Sequence, residues 1–167
     1  MKKVYLILSV VVVVITACQQ TPETVPVNIE AEKAAINSIF DKFNAAFNAQ
    51  DVATLASYLT EDALCCGTDP SEFWNKQQIT DIWTQAFADS MPKPELNLIS
   101  EREIKVAADG NSAIVVDQYM LPIITPKIPW RNVYHLVKTN DNWMILFLNC
   151  GFIPKNEDIP KLNEALE

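Results

Sequence analysis

Ala113-Ile114-Val115-Val116-Asp117-Gln118-Tyr119-Met120 is the stretch on which the fold turns. A strand buried on one face alternates apolar and polar residues. This one is β-branched or apolar at both parities, which predicts a strand covered on both sides. The apolar character continues to Ile124, so the predicted strand spans residues 113–124. One face must meet the rest of the domain. The other predicts a partner subunit, and a homodimer is therefore expected.

Outward from this strand the pattern is regular. Asp109-Gly110-Asn111 is a hairpin signal. Before it, Leu96, Leu98, Arg102, Ile104 and Val106 alternate with Asn97, Glu101, Glu103 and Lys105, which predicts one long strand over residues 96–106. After it comes a proline-flanked loop at residues 125–129, then a strand over 131–138. The turn Thr139-Asn140-Asp141-Asn142 leads to a last strand over 143–152.

The first half of the domain has the helical period instead. Ile36, Ile39, Phe40, Phe43 and Phe47 form one stripe over residues 29–50. Asp51 can cap a second, short helix carrying Leu55 and Tyr58. A break at residues 60–62 precedes a short strand at 63–66, ended by Gly67-Thr68-Asp69-Pro70. Residues 75–90 read as a third helix with Ile79, Ile82, Trp83 and Phe87 on one face, and residues 154–167 are expected to end in a short acidic helix. Helices around a short strand, followed by a meander of long strands, predict an α+β fold: a curved antiparallel sheet wrapped around the N-terminal helices, leaving a pocket.

The N-terminus reads differently. Lys2 and Lys3 precede an apolar run from Val4 to Ile15, too short to span a bilayer. The run ends Ile15-Thr16-Ala17-Cys18, which resembles the lipobox of bacterial lipoproteins. That resemblance implies cleavage before Cys18, a diacylglyceryl group on its thiol, and attachment of the protein to a lipid bilayer. Gln19 after the cysteine suits the outer membrane of a Gram-negative cell envelope. Residues 1–17 are then the signal peptide, 18–28 a polar tether with two prolines, and 29–167 the domain. Cleavage removes two positive charges, so the net charge of −8 becomes −10.

Composition excludes several activities. The chain has three scattered glycines and one histidine. No phosphate-cradling glycine loop or dinucleotide fingerprint can be built from these, and no multi-histidine metal motif. Neither a cofactor nor a metal is expected. The acidic balance, 21 Asp and Glu against 13 Lys and Arg, argues against nucleic acid as a partner.

Few residues remain to carry chemistry. Asp117 and Tyr119 share a strand face. In an apolar cavity the pair could act as a general base and a hydrogen-bond donor, with His135 as a proton shuttle. The plainer reading has Asp117 paired to Arg131 or Lys138 and His135 structural. Arg131 could equally clamp an anionic ligand. Of the aromatic residues, Phe43, Phe47, Tyr58, Trp74 and Trp83 are candidates for a pocket wall. Cys65, Cys66 and Cys150 are either buried thiols or, if the short strand lies beside the last one, a disulfide from Cys150 to one of the pair.

Several phrases occur together in order: Phe47-Asn48-Ala49-Gln50-Asp51-Val52 with Leu55 and Tyr58, Gly67-Thr68-Asp69-Pro70 with Glu72 to Trp74, and residues 131–138 with Trp143 after the turn. With the order of elements they resemble the SnoaL-like branch of the nuclear transport factor 2-like superfamily. The resemblance implies a cone with a pocket at its open end, occupied in different members by cyclase, isomerase or dehydratase chemistry or by binding alone. Relatives often carry histidine near the positions of Phe147 and Asn149. This chain has none there, although Asn149 is retained as a candidate ligand contact. The expected function is thus a membrane-anchored pocket domain that binds a small apolar ligand or serves as a dimeric accessory module. The alternative is an isomerase, cyclase or dehydratase using Asp117 and Tyr119.

Overall fold

The computed structural model describes residues 26–88 and 92–165. Lys2, Lys3, the apolar run, Cys18 and most of the tether lie outside the described residues, as do Asp89, Ser90 and Met91 and the last two residues of the chain. The described part begins with α1, Ile29–Ala49. Asn28 caps it by accepting from the Ala31 N–H at 3.1 Å. Glu30 and Glu32 sit in the first turn, where the helix dipole favours acids. Ile36, Phe40, Phe43 and Ala46 form its buried stripe. Gln50 takes the left-handed conformation, φ 61°, that ends the helix. Asp51 then caps α2, Val52–Ser57, accepting from the Thr54 N–H at 3.0 Å.

The break expected at residues 60–62 is not a break: β1 runs Leu59–Cys66 through it. Strand pairing uses the main chain, so Glu61 and Asp62 can stay exposed while Leu59, Ala63 and Cys65 are buried. β2, Phe73–Asn75, folds back antiparallel on β1. Next comes α3, Lys76–Ala88, entered through a reciprocal cap. Gln78 N–H donates to Asn75 Oδ1, and Asn75 N–H donates to Gln78 Oε1, both at 2.9 Å.

The single strand expected at residues 96–106 is two: β3, Asn97–Leu98, and β4, Glu103–Val106. Both pair with β5, Ser112–Leu121. Leu98 lies opposite Tyr119 and Glu103 opposite Val116. Residues 99–102 therefore bulge against only two residues of β5, and this detour turns Arg102 inward. A second correction concerns residues 125–129, expected to be a loop. They open β6, Thr125–Thr139, and the hairpin turns earlier, at residues 122–124. Thr125 Oγ1 explains the pairing despite two prolines: it donates to the Ile128 carbonyl at 2.8 Å and accepts from Trp130 Nε1 at 2.6 Å. Asn140 and Asp141, both at positive φ, turn the chain into β7, Asn142–Phe152. A 3-10 turn, Asn156–Asp158, leads to α4, Ile159–Glu164.

The sheet order is β2-β1-β7-β6-β5-β3, with β4 also on β5, and β1 runs parallel to β7. The sheet is curved and does not close, and the architecture is the expected α+β cone. Its inner face buries Val115, Tyr134, Leu136, Ile145 and Leu148 against Ile36, Phe40 and Phe43 of α1. The outer face carries Ile114, Val116, Val133 and Phe147, and Ile114 is 43% exposed there.

Candidate functional site

A cavity of about 290 Å³ opens between α1, α3 and the inner face of the sheet. Its walls carry many rings: Phe43 and Phe47 from α1, Trp74 from β2, Trp83 and Phe87 from α3, and Trp130 from β6. Helical spacing delivers Phe43 and Phe47 to one side, and Trp83 and Phe87 of α3 pack against them. Phe47 and Phe87 meet edge-on, centroids 5.6 Å apart. Tyr58, expected in the wall, is not there. Its ring packs edge-on against Phe43 at 6.0 Å, outside the lining, because α2 carries it behind that residue.

One polar part of the lining is a chain of three side chains on β5 and β6. Tyr119 Oη donates to Asn132 Oδ1 at 3.1 Å, and Asn132 Nδ2 donates to Tyr134 Oη at 2.8 Å. Burial pushes both phenols above their ordinary range. They remain protonated at neutral pH, and as partners they offer hydrogen bonds rather than negative charge.

Asp117 and Tyr119 do share the inner face, but the Asp117 carboxylate is already occupied. Arg102 grips it as a fork, Nε to Oδ1 at 2.8 Å and Nη2 to Oδ2 at 3.3 Å. The same guanidinium donates through Nη1 to Asn37 and Asp41 of α1 and lies 5.0 Å from the Phe40 ring centroid. Asp117 is 1% exposed and is not part of the cavity lining. The neighbours weighed for it, Arg131 and Lys138, are not its partners. Lys138 pairs with Glu32 at 2.6 Å, and Arg131 is exposed.

Three other candidates face away from the cavity. His135 lies between Ile114 and Phe147 in the ladder, on the outer face. Arg131 is two alternations earlier on the same face, beside Gln118 and Gly151. Trp130, Asn132 and Tyr134 point inward, so Arg131 and His135 must point out. Asn149 is a subtler case. Strict alternation from Trp143 and Ile145 would bring it inward. A bulge at Leu146 shifts the register, so Leu148 and Cys150 face the cavity and Asn149 sits opposite Val133 on the outer face.

Cys65, Cys66 and Cys150 all line the cavity, and all three thiols are free. The expected adjacency of β1 and β7 is present, with Cys65 opposite Leu148 and Cys66 opposite Asn149. Cys150 is offset from both and donates its S–H to the Cys66 carbonyl at 3.4 Å. Burial pushes the Cys65 thiol up to about 12. Burial, then the Glu72 charge, pushes Cys150 up to about 11. Protonated thiols of this kind are poor nucleophiles. Among the described residues no group of three or more His, Cys, Asp or Glu is placed to hold a metal ion, and no helix is long and apolar enough to cross a membrane.

Glu72 is a residue that sequence reasoning passed over. It lines the cavity beside Thr68 and Trp74, and the Asp69 N–H donates to its Oε2 at 2.9 Å. Asn132 was also missed, though a lone amide at an inward parity of an apolar strand was a readable signal.

A sequence profile of the SnoaL-like domain matches residues 36–149. No curated protein sequence matches the chain. Among solved structures it is similar to an NTF2-like protein of unknown function from Pseudomonas putida KT2440, with TM-score 0.65 and 12% identity over 77% of this chain and 91% of that one. It is also similar to a domain of unknown function with a cystatin-like fold from Nostoc punctiforme, with TM-score 0.63 and 20% identity over 80% and 85%. An NTF2-like protein from Cytophaga hutchinsonii gives 0.57 and 17% over 72% and 98%. At these identities the likeness is one of fold.

Proposed function

The chain belongs to the SnoaL-like domain family, and from that premise we propose that it is a binding protein whose cavity takes up a small, largely apolar molecule. The observation that carries this reading is the ring-lined cavity of about 290 Å³ with a short polar chain of hydrogen-bonding groups. Few, fixed polar groups among apolar walls suit recognition of such a ligand. The acid–base alternative has less to work with. Arg102 holds Asp117, His135 is on the opposite face of the sheet, and the Tyr119 hydroxyl already donates to Asn132.

Two features of context belong to the same reading. The Ile15-Thr16-Ala17-Cys18 segment supports a lipid anchor at Cys18, holding the domain at the envelope membrane. The outer sheet face, with Ile114, Val116, Val133, Val137 and Phe147, supports a second copy of this chain as its cover, since a sheet face can meet its own twofold copy. Val133→Glu should then turn a dimer into a monomer by light scattering, and a wild-type monomer would remove that part.

The direct test is native mass spectrometry on protein extracted from membranes in mild detergent. A bound small molecule, released on denaturation and absent from the cavity-filling variant Ala86→Trp, is the expected result. A ligand-free protein that also binds no apolar probe overturns the reading.

A further inference from the structure

Among the described residues one charged side chain reaches the cavity lining, and it is negative. Glu72 stands in a lining that holds no lysine, arginine or histidine among the described residues. The local chain is built to hold it there. Gly67 N–H donates to the Glu72 carbonyl at 3.1 Å, Glu72 N–H donates to the Asp69 carbonyl at 3.0 Å, and Asp69 N–H donates to Oε2 at 2.9 Å. Asp69 is itself fixed by accepting from the Ser71 N–H at 2.8 Å.

Gly67 shows how closely the parts converge. A Cβ at this position would overlap the Glu72 carboxylate and lie 2.6 Å from the Trp74 ring. The missing side chain is therefore what lets a carboxylate and an indole close over the same point at the cavity. The Glu72 charge is felt inside as well, since it helps to push up the Cys150 thiol. A carboxylate beside an aromatic ring is chemistry that recognises an organic cation.

We propose that the ligand of this cavity is an amphiphilic cation, with an apolar body among the rings and a protonated amine or quaternary ammonium held by Glu72 and Trp74. This rests on the cavity being a binding site and adds the charge of what it binds.

The test uses the full chain in a neutral maltoside detergent and three ligands of one shape: phenylbutylamine, phenylbutanol and phenylbutyrate. Binding is read from tryptophan emission, since Trp74, Trp83 and Trp130 line the cavity. The amine should bind about tenfold more tightly than the alcohol, and the carboxylate more weakly than either. In Glu72→Gln, whose amide carbonyl can still accept from the Asp69 N–H, the amine should fall to the level of the alcohol, and the alcohol should be unchanged. Alcohol binding without any preference for the amine overturns this inference and leaves the binding reading standing. A preference that survives Glu72→Gln overturns the role of Glu72. No binding by any of the three overturns both.

Discussion

Replacing Arg102 by alanine should cost the fold a large share of its stability, and the amount can be worked from the contacts. The side chains of Arg102 and Asp117 are 5% and 2% exposed. Removing the guanidinium leaves a buried carboxylate with no cation, a change that costs about 3–5 kcal/mol. Domains of this size are stable by only about 5–15 kcal/mol. Asp117→Asn should cost less, about 1–3 kcal/mol, because an amide still fits and Arg102 keeps Asn37 and Asp41. Asp41→Ala should cost less than about 1 kcal/mol, since its side chain is 74% exposed. The double variant Arg102→Met, Asp117→Leu should be more stable than Arg102→Ala, because no lone charge stays buried. Urea unfolding followed by tryptophan emission measures all of these. With a slope of about 2 kcal/mol per molar urea, Arg102→Ala should lower the midpoint by about 2 M. If Arg102→Ala and Asp117→Ala each cost less than about 1 kcal/mol and add independently, the reasoning fails. Asp117 would then be a loosely held carboxylate, and the acid–base alternative would regain its residue.

Three further outcomes follow from other parts of the structure. Glu32 accepts from Lys138 Nζ at 2.6 Å and Trp143 Nε1 at 2.9 Å, and these bonds, Lys138 first, hold its carboxyl below the usual glutamate range. A depressed folded value means that the stabilisation is complete above the ordinary glutamate pKa and is lost as pH falls through the folded one. The stability gap between wild type and Glu32→Gln should therefore shrink on acidification, and a gap independent of pH would refute the assignment. Cys65 and Cys150, pushed up to about 12 and about 11, should react with a disulfide reagent at mildly alkaline pH only after unfolding; rapid reaction of every thiol in the folded protein would contradict their burial. Gly67→Ala should displace Glu72 and Trp74, destabilise the domain by about 1–3 kcal/mol and alter tryptophan emission. Unchanged emission and unchanged stability would mean that the strand end yields without disturbing either side chain.

Much of this molecule is legible without its tertiary structure, because it depends on short-range rules. The helical period and its caps placed α1, α2 and α3. The doubly apolar run 113–120 marked the strand around which the sheet is built, and alternation put Asp117 and Tyr119 on one face. Even the wall of the cavity was partly readable, as Phe43, Phe47, Trp74 and Trp83 show. Three features were decided only by the packed chain. A bulge at Leu146 reverses the parity of β7, so Asn149 leaves the cavity and Cys150 enters it. The excursion between β3 and β4 folds Arg102 onto Asp117, a pairing across 15 positions that no local pattern encodes. The turn after Gly67 brings Glu72 beside Trp74 at the cavity. Period and propensity describe which way a residue points relative to its neighbours. A bulge or an inward-turned loop changes that reference, and its cost is met by contacts formed elsewhere in the fold.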